Sequence, residues 1–407
     1  MPSSPRLWTA AWAVVATAIG VLFAVRVPLG LPYDEPSHWG TVLFYATNGR
    51  MPELGEPGSS YEAQMGPVYY VLAAAVVRLT PSSEPTTQAY IVRLVGVALM
   101  PVLVVLTARI GRLLSPRPAD AVVAAAVVAT MPLLGAIGGS IQNDYLTFVL
   151  VAAVLLLGIR LFRNERASWA LHLALGALIG VAVLTKVNAL ALVPAALLAY
   201  LVVPADRRTR IKWALAASAG LVMTCGWWFV RNLLVYGDLT GANGMARLGI
   251  VFPPLRWSGP ADVVAWLGNV VSYVYIPVEY YRNLVQSPSV LRIGAIGLAA
   301  VTLVAGVAYL VSRRTTLRRV GADPGRVFAL GVLACGLLLW IVFSVAIFNT
   351  APRLVFQAAP VAAVLFAVLA RRRWVVLTAA TLVAFLVADV WLALSAAQIS
   401  GYPFLIR

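Results

Sequence analysis

Residues 67–79 read PVYYVLAAAVVRL. The run is apolar apart from Arg78, yet a helix that crosses a bilayer needs about 20 such residues. A stretch this short is more often interfacial or re-entrant than spanning. Its reading decides the fold, because every later loop changes side if it crosses. Suppose that it does not cross and that the N-terminus lies inside. Short cytoplasmic segments then carry Arg6; Arg109, Arg112 and Arg117; Arg160, Arg163 and Arg166; Arg207, Arg208, Arg210 and Lys212; Arg313, Arg314, Arg318, Arg319 and Arg326; and Arg371 to Arg373. These are 19 of the 31 Lys and Arg residues, and short loops are where basic residues report the inside face. If it crossed, the RRTTLRR and RRR clusters would face outside.

The chain of 407 residues is 61% hydrophobic and 11% charged, with a mean hydropathy of +0.88. A soluble domain of this size could not hide so much apolar surface, so lipid must cover it. Helical spans follow, since backbone in lipid has to satisfy its own hydrogen bonds. The net charge of +16 does not indicate nucleic acid, because the basic residues fall in clusters between apolar runs. Cys225 and Cys335 both lie inside apolar runs, which points to neither a disulfide nor a metal site. The first apolar run lacks a small-residue cleavage motif followed by a soluble domain and is expected to be a retained span. The Ala, Val and Arg bias suggests a bacterial source and hence the bacterial cytoplasmic membrane.

The expected fold is an all-α integral membrane protein, a single polytopic domain of about eleven spans. They run over roughly 7–27, 90–112, 119–138, 144–162, 168–185, 188–203, 211–230, 289–312, 327–348, 353–370 and 374–395. The N-terminus is inside and the C-terminus outside. Two long outer segments result, 28–89 and 231–288. The first should hold two short surface helices, 36–48, which Pro36 starts, and 67–79. No fixed-period repeat is visible, and no inverted repeats of the kind many transporters carry.

The polar residues gather on the outer side of this arrangement. Asp34, Glu35 and His38 follow the first span, in DEPSHW. Asn143 and Asp144 (QNDYLTF) lie at the turn between the third and fourth, and Lys186 and Asn188 (LTKVNAL) between the fifth and sixth. Arg231 and Asn232 end the seventh, and Arg353 begins the tenth. Acids and cations at one membrane level make a site. A carboxylate beside a leaving phosphate could take a proton from an acceptor hydroxyl or amine. Cations at the same depth could hold that phosphate, Arg bidentately and Lys as a point charge. An apolar groove beside them could take a lipid tail, and the parts together describe sugar transfer from a lipid phosphate.

Each residue also has a plainer use. Lys186 and Arg353 stand at span ends, where long cations reach for headgroups. Arg231 follows two tryptophans, as a belt anchor would. Asp144 stands where an acid often caps a helix, and Asp34 or Glu35 could cap the helix at Pro36. His38 suits a structural hydrogen bond better than a metal, with no second His or Cys near it.

In their order along the chain, DEPSHW, QMGPVYYVLAA, QNDYLTF, LTKVNAL, RNLLVYGD and PRLVFQAAP resemble the membrane glycosyltransferases of the C superfold. The likeness is nearest to the protein O-mannosyltransferase and aminoarabinose-transferase branch. It extends from residue 34 to 360. What it implies is a polyprenyl-phosphate-sugar donor in the membrane and an inverting transfer on the outer face. Asp34 matches the catalytic acidic position, with Glu35 its neighbour, and Asp144 the second acidic position. Lys186 and Arg353 match positions associated with the lipid phosphate, and Arg231 joins them as a candidate. His38, Gln64 and Tyr69 are the candidate acceptor or loop contacts. Gln64 stands where the family often has His, and Gly66 where it often has the first Pro. Some members of the superfold use a divalent metal, for which Asp34, Glu35 and His38 could supply ligands. Two rival functions stay open: a lipid-linked sugar transporter or flippase, and a non-catalytic partner in cell-envelope assembly.

Overall fold

The computed structural model describes residues 4–164, 167–250, 258–281, 323–347, 353, 355–369 and 375–399, with isolated positions between 284 and 297. All regular structure among them is helical. In chain order the helices are α1 Pro5–Arg26, α2 Glu35–Asn48, α3 Val68–Leu79, α4 Pro85–Leu114, α5 Pro118–Thr130, α6 Pro132–Gly138, α7 Asp144–Phe162, α8 Trp169–Thr185, α9 Leu192–Val202, α10 Arg207–Tyr236, α11 Ala242–Arg247, α12 Pro260–Tyr275, α13 Pro324–Ile347, α14 Ala359–Leu369 and α15 Val375–Ala396. The helix boundaries have local causes. Pro5, Pro36, Pro85, Pro118 and Pro132 stand in first turns, where a missing N–H costs nothing. Glu84 and Asp206 accept hydrogen bonds from the free backbone amides that open α4 and α10. Gly49 and Gly237 close α2 and α10 in the left-handed conformation.

Six described helices are long and apolar enough to cross a membrane: α1, α4, α7, α10, residues 324–344 of α13, and α15. The pair α5–α6 makes a seventh if its 58° bend at Met131–Pro132 is counted within one span. The expected count of about eleven is therefore reached only in part. Of the other expected spans, 289–312 lies almost wholly outside the described residues. The rest form helices but are short: α8 has 17 residues, and α9 and α14 have 11 each. At 1.5 Å per residue, α9 and α14 are about 16 Å long, half the hydrocarbon thickness. Tight 3₁₀ turns consume their beginnings, at Val187–Ala191 and Phe356–Ala358.

The long helices divide into a buried centre and a lipid-facing edge. Helix α7 is the most buried of the six and packs on α4, α8 and α13. Helix α10 is the least buried, with Leu215, Val222, Met223, Val230 and Leu234 all exposed. It is held by α8 through small residues. A methyl group on Gly176 would stand 1.8 Å from the Ala217 carbonyl oxygen, and one on Gly220 would stand 2.1 Å from that of Leu173. Such approach lets dispersion hold two helices where lipid removes the hydrophobic drive.

The stretch 67–79 folds as the 12-residue α3, about 18 Å long and too short to span. It buries Tyr69, Tyr70, Ala73, Ala74 and Val77 against α2 and α4. These residues and Trp39, Val42, Val92 and Ile141 form a second apolar cluster, which supports the site from one side.

Candidate functional site

Asp34 and Glu35 are neighbours with different surroundings. Glu35 is fully buried. Arg93 of α4 grips it bidentately, with Nε 2.7 Å from Oε1 and Nη2 2.6 Å from Oε2. The backbone amides of Gly30 and Ile141 donate to the remaining lone pairs at 2.8 and 2.9 Å. Arg93 itself donates to the carbonyls of Ala24, Val27 and Pro28. This network ties the end of α1 to α2, α4 and the loop before α7. It fixes the backbone immediately after Asp34, and none of its members reaches into the cluster described next. Arg93 was missed in the sequence reasoning. Its signal was an arginine inside the apolar run AYIVRLVGVALM, where an unpaired charge is too costly to persist.

Asp34 points the other way. Among the described residues it is the one non-glycine with positive φ, at 65°. Its side chain makes no capping bond to α2. Instead Tyr61 donates its hydroxyl hydrogen to Oδ1, and Arg353 Nη2 donates to Oδ2 at 2.6 Å. The Arg353 guanidinium also lies over the Tyr33 ring, 5.3 Å from its centroid. Burial pushes the Asp34 carboxyl up, but the charge of Arg353 and the Tyr61 hydrogen bond outweigh it and hold the group below its ordinary value.

A second ion pair belongs to the same cluster. Lys186 Nζ donates to Asp144 Oδ1 at 2.8 Å and to Asn143 Oδ1 at 3.3 Å. Lys186 is buried, so it does not reach out to headgroups, and Asp144 does not cap α7 with its side chain. Asp144 Oδ2 is buried without a hydrogen-bond partner among the described residues. The turn that carries Lys186 is set by close contact: a methyl on Gly66 would stand 2.1 Å from the Leu184 carbonyl oxygen. A proline ring at position 66 would meet the same wall, which accounts for the glycine there.

His38 and Glu62 complete the cluster. His38 shares a 2.8 Å hydrogen bond between Nδ1 and the Tyr70 hydroxyl. Its Nε2 lies 3.8 Å from Glu62 Oε1. Burial lowers His38 to about 3, so the ring is neutral across the physiological range. Asp34, Asp144, Lys186 and Arg353 all act electrostatically on both His38 and Glu62. Glu62 and Tyr61 are not among the candidates that the sequence offers. Both sit on the 3₁₀ turn Tyr61–Gln64, which Ser60 ties to α2 by donating to the Ser37 carbonyl at 2.7 Å.

The remaining candidates lie beside the cluster. Arg231 Nη2 donates to the Pro52 carbonyl at 2.8 Å, and its guanidinium is 5.7 Å from the Tyr236 ring centroid. Gln64 Nε2 stands 3.4 Å from Met245 Sδ, with Gly241 close against its side chain. Tyr69 is buried edge-on to Tyr70, with ring centroids 5.5 Å apart. As for a metal, no group of three His, Cys, Asp or Glu among the described residues could hold one. Arg353 and Tyr61 already engage Asp34, and Arg93 engages Glu35, so the three residues considered as ligands do not form a common donor set.

Residues 64–228 match the family model described as dolichyl-phosphate-mannose-protein mannosyltransferase. No curated protein matches the sequence. Among solved structures, ArnT from Cupriavidus metallidurans bound to undecaprenyl phosphate is similar over 91% of this chain and 61% of its own, at 14% identity and a TM-score of 0.60. The oligosaccharyltransferase from Archaeoglobus fulgidus in the apo form is similar over 97% of this chain and 56% of its own, also at 14% identity and 0.60. The same archaeal enzyme has been solved with an inhibitory peptide and a dolichol-phosphate. The chain thus spans about three fifths of the length of the solved structures it resembles, and it shares their fold.

Proposed function

We propose that this chain is a membrane glycosyltransferase that moves a sugar from a polyprenyl-phosphate donor to an acceptor, with inversion. The observation that carries this reading is the two ion pairs, Asp34–Arg353 part-buried and Asp144–Lys186 buried, gathered around a neutral histidine. Buried ion pairs gain little for stability when weighed against desolvation. A phosphate entering between the two cations would find both already desolvated.

Asp34 takes the proton from the acceptor hydroxyl or amine. The acceptor atom bonds to the sugar's anomeric carbon while the bond from that carbon to the phosphate oxygen breaks. The electron pair stays on the phosphate, whose growing charge Lys186 and Arg353 stabilise. Arg353 must leave Asp34 to do this, so donor binding frees the base. Asp144 orients the acceptor through its unpartnered oxygen. Glu35 holds Asp34 in place through Arg93. Arg231 reaches the donor only by giving up Pro52, and His38, Gln64 and Tyr69 line the acceptor side.

The same reading includes eleven spans in a bacterial cytoplasmic membrane, the N-terminus inside, and segments 28–89 and 231–288 outside over the site. Helices α2 and α3 then lie at the membrane surface. A cysteine at position 83 should react with an impermeant reagent added outside. Reaction only after permeabilisation would reverse this topology. Activity is tested with purified protein in nanodiscs and radiolabelled polyprenyl-phosphate mannose. Release of label to water or to an envelope extract is expected. Tight binding of polyprenyl phosphate with no release from several sugar donors would point to a binding partner or transporter instead.

A further inference from the structure

The cluster holds three carboxylates and two cations. Arg353 matches Asp34, and Lys186 matches Asp144. Among the described residues Glu62 has no cation of its own, although it is 3% exposed. Its Oε1 is 3.8 Å from His38 Nε2, beyond hydrogen-bond reach. Its Oε2 is buried with no hydrogen-bond partner among the described residues. An ionised Glu62 would leave uncompensated negative charge where an anionic phosphate has to enter. A neutral Glu62 leaves the two ion pairs balanced and gives the carboxyl an O–H with nothing to donate to.

We propose that Glu62 carries a proton at neutral pH and donates it, through Oε2, in a hydrogen bond to an oxygen of the lipid donor's phosphate. This rests on the glycosyl-transfer reading and adds a catalytic residue to it. As the bond from sugar to phosphate breaks, that proton passes to the departing oxygen. The proton that Asp34 took from the acceptor then restores Glu62. The net change is one proton moved from acceptor to phosphate. The groups facing Glu62 are Asp34 just before α2, His38 on α2, Tyr70 on α3, Asp144 at the start of α7, Lys186 after α8, Arg353, and Tyr61 on its own turn. Burial, helped by the charge of Asp34, raises its carboxyl to about 8, while Lys186 and Arg353 pull the other way.

The test is binding of the methyl ester of polyprenyl phosphate to the full chain in nanodiscs, from about pH 6 to pH 10. This phosphodiester has one fixed charge and does not titrate in that range. Wild-type affinity is expected to be constant below about pH 7 and to fall above about pH 8, approaching about tenfold per pH unit. Glu62→Gln, neutral and still a donor, should match the low-pH affinity and lose that alkaline fall. Glu62→Met should also be insensitive to pH, but bind more weakly. The proposal is overturned if the fall persists in both variants, or if the wild-type profile is flat. The wild-type profile decides the second case even if neither variant folds. No binding by wild type at any pH would overturn the glycosyl-transfer reading itself, and this proposal with it.

Discussion

Glu35 and Asp34 are adjacent in sequence, and each meets an arginine at 2.6 Å, yet they sit in opposite kinds of place. Around Glu35 each oxygen of the carboxylate accepts two hydrogen bonds, and the arginine opposite is committed to three backbone carbonyls. Around Asp34 the partners are side chains from distant parts of the chain, and nearby oxygens of Glu62 and Asp144 have no hydrogen-bond partners among the described residues. The first arrangement is saturated and has nothing to offer a ligand. The second is short of partners, as a site must be that exchanges its contacts for those of a substrate. Identity of residue type therefore says little here. What separates a fastening from a site open to a ligand is whether the polar groups are already satisfied.

The comparison is sharpest between the two isosteric variants. Asp34→Asn should cost roughly 10²- to 10⁴-fold in turnover, the range of a lost general base, with little change in unfolding temperature. Glu35→Gln should do the reverse. It breaks a buried pair and leaves Arg93 uncompensated, which costs about 3–5 kcal/mol of stability. Equal loss of stability in the two variants would erase the distinction. A smaller effect is expected for Lys186→Met. Polyprenyl phosphate should bind more weakly by about 2 kcal/mol or more, roughly thirtyfold in Kd. Unchanged affinity would remove Lys186 from the donor site.

The remaining effects concern pH. His38 is lowered to about 3, so between that value and about 6.5 the unfolded chain binds a proton that the folded chain refuses. Stability falls as pH falls through this window, and His38→Gln should flatten that limb. Glu62 is raised to about 8, so between about 4.5 and 8 the folded chain keeps a proton that the unfolded chain has lost. Stability falls as pH rises there, and Glu62→Gln should flatten the other limb. Thermal melts of the purified protein across pH 4 to 9 measure both. A profile unchanged by either substitution would contradict the burial of these groups.

Much of the fold is legible in the sequence, because length and apolarity of a run are local properties. The short run 67–79 falls on a helix too short to span, whereas the expected span 119–138 is bent at Met131–Pro132, which the sequence reading does not include. Less legible are the lengths of α9 and α14, where hydropathy continues through backbone that the structure winds into tight turns. In the site, the structure pairs Asp34 with Arg353 and Asp144 with Lys186, pairings that the sequence does not specify. Glu35 faces its arginine instead, because its partner 58 residues away outcompetes any role beside Asp34. Tyr61 and Glu62 were hidden for a similar reason. They stand in no periodic run of their own, and contacts of Ser60 with Ser37 and Thr41 turn them inward.

The most direct measurement follows one turnover of radiolabelled polyprenyl-phosphate sugar by wild type, Asp34→Asn and Glu35→Gln, each checked for its unfolding temperature in the same nanodiscs. The expected result is loss of sugar release in Asp34→Asn at wild-type stability, with release by Glu35→Gln surviving wherever that variant remains folded. Full release by a well-folded Asp34→Asn would contradict the assignment of Asp34 as the base, and with it the division between the two acids.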